Sequence, residues 1–303
     1  MGHAVAVTTE PGDRADTWLV DLVARRAGAL RSWEPLARVD APDAVHKMRV
    51  TVRQLRSDLR TFGGLLLEGS VERLDAELGW LADVLGAVRD AEVLRARLRS
   101  LLESLEPEQV RGDVPERLAA VLVTRHEAAR SGLIAAMASE RFECALAEAG
   151  RLPATLKPIC GSASIADAVR PCVDKASARL RKRADRAVQA PTPLALHAAR
   201  RAAKRVRYGA EALIDAYGPA AVALAARAES LQDVLGEAHD AHVSSLFLLD
   251  SAAAAHVGGR DPTTLGVLAG LEEAAQRRAL EAFGPLWAEA RRRRHRRWLS
   301  SRT

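Results

Sequence analysis

The chain has 303 residues, of which 48% are hydrophobic and 28% charged, which is enough apolar content for a buried core beneath a charged surface. It lacks an ~18-residue apolar run, a signal-peptide pattern and CxxC spacing among its three cysteines, so a cytoplasmic protein without a membrane span, disulfide framework or zinc knuckle is expected. The net charge is +6 and segment 291–297 alone carries six arginines, so any other basic site must be a local concentration of charge.

Apolar residues recur at helical spacing along the chain, and Pro and Gly separate the periodic segments. The sequence predicts helices over residues 13–38, 43–67, 71–84, 88–104, 114–137 and 139–149, a loop over 152–161, and helices over 164–188, 194–216, 219–235, 238–254 and 263–298. A break is expected near Gly284-Pro285, and Asp43 and Ser70 are predicted N-caps. No segment alternates convincingly with period two, so an all-α fold is predicted.

Two motifs occur twice, in the same order and at nearly the same separation. The pattern H-x-x-R-x-x-x-[RK]-x-x-R begins at His46 and again at His197, an offset of 151. The pattern L-x-D-V-L-G begins at Leu81 and again at Leu231, an offset of 150. This repetition predicts an internal duplication, with repeat one at about 13–150 and repeat two at about 163–298. Each repeat is expected to form a small helical bundle, and the two bundles are expected to face each other about a pseudo-twofold axis.

The first motif places basic side chains on one helical face in each repeat, at about 100° per residue. The first stripe is His46, Arg49, Arg53, Arg56 and Arg60; the second is His197, Arg200, Lys204 and Arg207. The second stripe ends in acid, because Glu211 occupies the position equivalent to Arg60. Solvated helix faces ordinarily mix acids and bases so that charges pair. Repulsion retained in both copies therefore indicates an anionic partner, and the planar guanidinium fork suits phosphate.

The two repeats resemble the CHAD domain family, whose members are histidine-containing α-helical domains, in four stretches. These are VHKMRVTVRQLRSDLRTF (45–62), LGAVRDAEVL (85–94), LHAARRAAKRVRYGAEAL (196–213) and LQDVLGEAHDAHV (231–243). The resemblance implies one domain over 1–303, with two pseudo-symmetric bundles around a basic central groove. It also implies binding of inorganic polyphosphate and association with polyphosphate granules and their proteins. One departure is His239, which stands where the first repeat has Arg89.

The predicted site joins the stripes to their basic and aromatic neighbours, and its expected role is binding without catalysis, cofactor or metal. It consists of His46, Arg49, Arg53, Arg56, Arg60, Arg89, His197, Arg200, Arg201, Lys204, Arg207 and Tyr208. Four aspartates at matching places, Asp83, Asp90, Asp233 and Asp240, either hold these arginines or cap helices and form turns beside Gly86 and Gly236. The sequence leaves both roles open.

Three other functions would also use basic residues or histidines of this chain. Sequence-independent nucleic-acid binding needs similar charge, but single-strand binders interleave aromatic residues, and this chain is only 4% aromatic. Phosphotransfer or hydrolysis would use His46 or His197 as nucleophile, yet no Walker loop, acidic metal cradle or acid–base pair accompanies them. His239 and His242 form a possible metal pair without further ligands at clear spacing. The basic segment 291–297 would extend the anion site, dock on granules, or be a frayed helix end.

Overall fold

A computed structural model describes residues 9–69 and 71–300, and helices dominate both ranges. The longer helices are α1 (Ala15–Arg38), α2 (Ala44–Phe62), α3 (Glu72–Glu103), α4 (Val114–Met137), α5 (Glu140–Thr155), α6 (Arg170–Gln189), α7 (Pro193–Ala212), α9 (Pro219–Val257) and α10 (Thr263–Ala290). Two short helices, α8 (Ile214–Tyr217) and α11 (Arg297–Ser300), complete the set. These ranges contain isolated bridges but no strands. The all-α prediction is confirmed.

Two predicted helix breaks are wrong. Helices α3 and α9 each run without interruption through Gly86 and Gly236. Both glycines are buried and adjoin buried leucines, Leu85 and Leu235. Burial of such apolar side chains outweighs the ~1 kcal/mol that a glycine costs inside a helix. Each repeat therefore contributes one long helix, and the second repeated motif lies in the middle of it.

Other predicted boundaries also shift. Pro285 stays inside α10, because the buried Phe283 and Trp287 anchor the helix on both sides and offset the lost backbone hydrogen bond. The predicted 152–161 loop begins later, since α5 continues through Pro153 to Thr155. Asp43 immediately precedes α2, but it has a left-handed backbone and makes no capping hydrogen bond, so its predicted capping role is wrong. Ser70 lies outside the described residues.

The helices of the two halves pack in the same order. In the first half α1 packs on α2, α2 on α3, and α3 on α4; in the second half α6 packs on α7, α7 on α9, and α9 on α10. Helices α2 and α7, which carry the two stripes, contact each other across the halves. One apolar core runs through both halves. The pseudo-twofold duplication stays a prediction, but this order of packing is what it requires.

An ion-pair network around Arg97 of α3 ties this helix to α9 and α10. The Arg97 guanidinium lies 2.7 Å from the Glu237 carboxylate on α9 and 2.6 Å from the Glu272 carboxylate on α10. Glu272 is fully buried, and the hydrogen bonds to Arg97 lower the pKa of Glu237. A small second core containing Leu98 and Leu248 lies nearby. The two halves are thus joined at α3 and α9 as well as at α2 and α7.

The basic C-terminal segment is folded rather than frayed. After α10 ends, Arg291 pairs with Asp185 of α6 at 3.0 Å. The Trp298 ring lies 4.7 Å from that of Tyr217, and Leu299 is buried. The frayed-end alternative for segment 291–297 is therefore wrong. In the described part of the chain, no helix combines the length and apolarity needed to cross a membrane.

Candidate anion-binding site

Four cations from the two stripes meet where α2 approaches α7. We call Arg49, Arg53, Arg200 and Lys204 the central cluster. The pKa of Arg49 is lowered by burial and by the charges of Arg53 and Arg200, and that of Arg200 by burial and by Arg53. Two of the four residues come from each half, so the structure brings the N-terminal parts of the two predicted stripes together.

Lys204 is the most perturbed member of the cluster. Burial, together with the charges of Arg53, Arg200 and Arg49, lowers the pKa of its ammonium group from 10.5 to about 6. At neutral pH Lys204 is therefore mostly neutral in the free protein. An anion placed beside it would favour the charged form and raise that pKa again.

The second repeated motif supplies the surface on which these arginines lie. A Cβ atom added at Gly236 would stand 3.3 Å from Nη2 of Arg200, and one added at Gly86 would stand 3.8 Å from Nε of Arg49. The lack of a side chain at Gly236 thus lets the Arg200 guanidinium lie close to α9, whereas Gly86 leaves an ordinary contact distance to Arg49. In each half the second repeated motif lies beside an arginine of the first.

The four matching aspartates lie inside α3 and α9, so the capping and turn alternative is wrong for them. Asp90 Oδ1 lies 3.4 Å from Nη2 of Arg49, but its side chain is 70% exposed. Asp240 and Asp233 act on Arg200 as nearby negative charges. Asp83 is exposed on α3. The four carboxylates therefore neutralise the positive charge of the central cluster only in part.

Buried donors in the site lack partners among the described residues. The Nε atoms of Arg49 and Arg200 and Nδ1 of His46 are buried without a hydrogen bond to any residue in 9–69 or 71–300. A buried donor left unpaired costs about 1–3 kcal/mol. An acceptor oxygen brought to these atoms would remove that cost.

Three neighbouring cavities surround the cluster. The central cavity, of about 280 Å³, is lined by Arg49, Arg89, Asp90, Val93, Leu94, Arg97, Arg125, Arg200, Lys204, His239, Asp240 and Val243. The first cavity, of about 480 Å³, shares Arg89 with it. The second cavity, of about 150 Å³, shares Arg200 and His239. The shared wall residues place the central cavity between the other two.

The outer two cavities differ in chemistry. The first is rich in cations and includes His46, Arg89, Arg95, Arg99 and His126. The second is mainly apolar, with Pro191, Pro193, Leu196, Leu235 and Leu280 beside the three histidines His197, His239 and His242. Arg89 and His239 occupy equivalent positions in the two repeats. Arg89 lines the cavity that is rich in basic residues, whereas His239 lines the mainly apolar one.

The C-terminal parts of the predicted stripes do not join the cluster. Arg60 pairs with Asp75 at 2.6 Å, and Arg56 lies 3.4 Å from the same carboxylate. Arg207 pairs with Glu211 at 2.7 Å and with Glu229 at 2.9 Å. The ring of Tyr208 is buried beneath Arg207. Arg201 is exposed, and its charge acts on Arg205 and His197.

Sequence reasoning missed several cations of the cavities. Arg97 and Arg125 line the central cavity from α3 and α4, and Arg125 also lies over the Phe247 ring. Arg95 and Arg99 line the first cavity. Arg95 and Arg99 are four residues apart and so share one face of α3, a signal that is present in the sequence. No comparable pattern marks Arg125.

The histidines of the candidate site are harder to protonate than a free imidazole. Burial and neighbouring cations lower the pKa of His46, His197 and His239. His46 and His197 lie in different cavities. Within the described ranges, no group of three His, Cys, Asp or Glu side chains could hold a metal ion.

Comparisons with known proteins agree on one family. Residues 21–249 match the family described as CHAD domain. The uncharacterized protein Rv2226 of Mycobacterium tuberculosis is 36% identical over 257 residues, which cover 81% of this chain and 48% of that protein. Protein MT2285, from another strain, matches over the same shares. The chain thus spans about half the length of these curated relatives.

Two solved structures share the fold. PptA from Streptomyces chartreusis has a TM-score of 0.74 and 21% identity, covering 91% of this chain and all of that one. The CHAD domain from the plant Ricinus communis has a TM-score of 0.70 and 23% identity, covering 99% of this chain and 98% of that one. At these identities the likeness establishes the all-α architecture.

Proposed function

The chain belongs to the CHAD domain family, which is associated with polyphosphate binding, and on that premise we propose that its central cluster binds inorganic polyphosphate without cleaving it. The observation that carries the proposal is that Arg49 of one half and Arg200 and Lys204 of the other line one cavity, with the charge of Arg53 close to Lys204. Cations withdrawn from water without full compensation are destabilising. Phosphate oxygens would both neutralise the charges and accept the unpaired Nε–H donors.

The shape of the site favours a thin polyanion over nucleic acid. The major groove of a DNA duplex alone is about 12 Å wide, so a duplex is too broad for a cavity of about 280 Å³. Single-stranded nucleic acid would need aromatic platforms for its bases, and the residues lining the three cavities include no Phe, Tyr or Trp. Inorganic polyphosphate carries no bases and is much thinner than a duplex.

The site favours binding over turnover for a geometric reason. A histidine that attacks phosphorus needs a partner to orient it and to manage its proton. Nδ1 of His46 has no hydrogen-bond partner among the described residues, and His197 is exposed in the other outer cavity. We therefore propose a cytoplasmic binding protein, which polyphosphate granules would recruit because they present many chains at once.

A ligand panel tests this proposal. Long-chain polyphosphate, single-stranded RNA and duplex DNA are titrated at equal phosphate concentration and fixed salt, since salt weakens all three. We expect polyphosphate to bind most tightly and to keep its length on a gel when incubated with the protein and Mg²⁺. Equal affinity for RNA would favour the nucleic-acid alternative. Progressive shortening that His46→Ala abolishes would show that the protein is an enzyme.

A further inference from the structure

A second group of arginines lies on the surface shared by α6 and α7. We define the outer patch as Arg179, Arg183, Arg201 and Arg205. Arg179 and Arg183 are one turn apart on α6, and Arg201 and Arg205 are one turn apart on α7. Arg205 is half-buried, and its pKa is lowered by burial and by the charges of Arg60, Arg179, Arg183 and Arg201. Cations from three helices are thus gathered around one guanidinium.

The outer patch lacks acidic partners. None of the ion pairs found in residues 9–69 and 71–300 includes any of its four arginines. Arg60, their neighbour on α2, differs because Asp75 binds it. Solvated faces ordinarily mix signs so that i,i+4 charges pair. The patch instead retains a positive potential, which an anion from outside would relieve.

The patch lies beside the second cavity. His197, Arg201 and Arg205 follow one another at four-residue intervals on α7, about 6 Å per step. His197 lines the second cavity with Arg200, and the charge of Arg201 lowers the pKa of His197. A line of basic residues therefore runs from Arg200 and His197 through Arg201 and Arg205 onto the outer surface.

We propose that the outer patch is a second anion subsite, which holds the part of a long polyphosphate chain that extends beyond the second cavity. This inference rests on the proposed function of the central cluster. The patch presents four guanidinium groups, whose planar forks suit phosphate oxygens. A ligand that reaches both sites gains affinity through the high effective concentration of its second segment. Affinity should consequently rise with chain length.

The test compares two ligands on one variant. In Arg179→Gln/Arg183→Gln/Arg205→Gln, affinity for long-chain polyphosphate should fall about tenfold, and the salt dependence should weaken as contacts are lost. Affinity for tripolyphosphate, which is too short to leave the central cavity, should change by less than about twofold. The control variant Arg73→Gln/Arg151→Gln/Arg277→Gln removes three exposed arginines elsewhere and should bind both ligands nearly as well as wild type. Should the triple variant misfold, the double Arg179→Gln/Arg183→Gln removes only exposed side chains and answers the same question.

Three results would overturn the subsite. Equal losses for both ligands would make the patch part of the central site, and an equal loss in the control variant would show an effect of net charge alone. A larger loss for single-stranded RNA than for polyphosphate would mark a nucleic-acid surface. Arg49→Gln/Arg200→Gln separates the two proposals, because it should weaken binding of both polyphosphate ligands. If Arg49→Gln/Arg200→Gln binds normally while the patch variant does not, the proposal that the central cluster binds polyphosphate is wrong, and binding at the outer patch is retained.

Discussion

The arginines of the two stripes on α2 and α7 have different surroundings at the two ends of each stripe. Near the N-terminal ends, Arg49 and Arg200 have unpaired Nε atoms and lie among other cations. Further along, Arg56 and Arg207 pair with carboxylates of another helix, Asp75 of α3 in one half and Glu229 of α9 in the other. Position along a helix face therefore does not define a binding residue. The neighbouring helix decides, by presenting either a cavity or an acid.

The largest expected effect follows from removing Arg49 and Arg200, the two arginines of the central cluster whose Nε atoms are buried without a hydrogen-bond partner among the described residues. Arg49→Gln/Arg200→Gln should weaken binding of long-chain polyphosphate about 100-fold, since each charge-assisted contact is worth about 1.5–3 kcal/mol and a flexible polyanion recovers part of that loss on neighbouring cations. Because the substitution also removes repulsion, we expect no loss of thermal stability. Calorimetric titration and a melting curve measure the two quantities.

A folded double variant that binds like wild type would show that the cavity is not the site. Lowered melting temperature with normal binding would give the two arginines a structural role instead. The control is Arg73→Gln/Arg151→Gln, which takes two charges from exposed positions outside the cavities and should leave affinity almost unchanged.

The sequence predicted the fold class and the central cluster because both depend on local periodicity. Helical spacing located nearly all the longer helices, and the repeated H-x-x-R motif located Arg49, Arg53, Arg200 and Lys204. It failed at Gly86 and Gly236, where local propensity indicated breaks but burial against the neighbouring helix kept α3 and α9 continuous.

The sequence did not predict which cations would be neutralised, since the deciding acids come from other helices. Asp75 and Glu229 lie 15 and 22 residues from Arg60 and Arg207 in the chain, yet they pair with them in space. The sequence did not predict the outer patch for the same reason. Its α6 arginines form a cluster only because α6 packs beside Arg205 of α7. Such relations depend on tertiary packing.

The second prediction concerns pH and separates lysine from arginine within the cluster. The pKa of Lys204 is about 6 in the free protein, and bound phosphate raises it, so binding takes up a proton between these two values. Affinity should therefore increase about tenfold as pH falls from about 8 to about 6, where the free group becomes charged as well. Lys204→Arg keeps the charge throughout and should flatten the profile while tightening binding at pH 8.

The charged groups that act on Lys204 are Arg49, Arg53, Arg200 and Asp240. The histidines act in the same direction, because the pKa values of His46 and His197 are also lowered. The variant His46→Gln/His197→Gln measures how much these two histidines contribute to the pH dependence of affinity. A Lys204→Arg profile parallel to that of wild type would assign the pH dependence to the histidines or to the ligand.

The third prediction uses the difference between the two glycines. Gly236→Ala would place a Cβ atom 3.3 Å from Nη2 of Arg200, whereas Gly86→Ala leaves an ordinary 3.8 Å contact with Arg49. Both substitutions remove a helix-weakening glycine, worth ~1 kcal/mol. We expect higher melting temperatures for both variants, with a loss of polyphosphate affinity of about threefold in Gly236→Ala only, as its guanidinium is displaced. Equal affinities would show that the position of Arg200 is not critical.

The smallest expected change in affinity belongs to the paired arginines. Arg56→Gln/Arg207→Gln removes two positive charges from the same stripes as the central double variant, so the two proteins have the same net charge. Their partners Asp75, Glu211 and Glu229 already hold these guanidinium groups, and a phosphate would have to displace a carboxylate to reach them. Affinity for long-chain polyphosphate should thus fall by less than about twofold. Stability should fall instead, by up to about 1 kcal/mol for half-exposed pairs, which lowers the melting temperature by a few degrees at most. The opposite result would be a loss of affinity in Arg56→Gln/Arg207→Gln and a loss of stability in Arg49→Gln/Arg200→Gln. It would mean that the ion pairs open when polyphosphate binds and that the full length of both stripes contacts it.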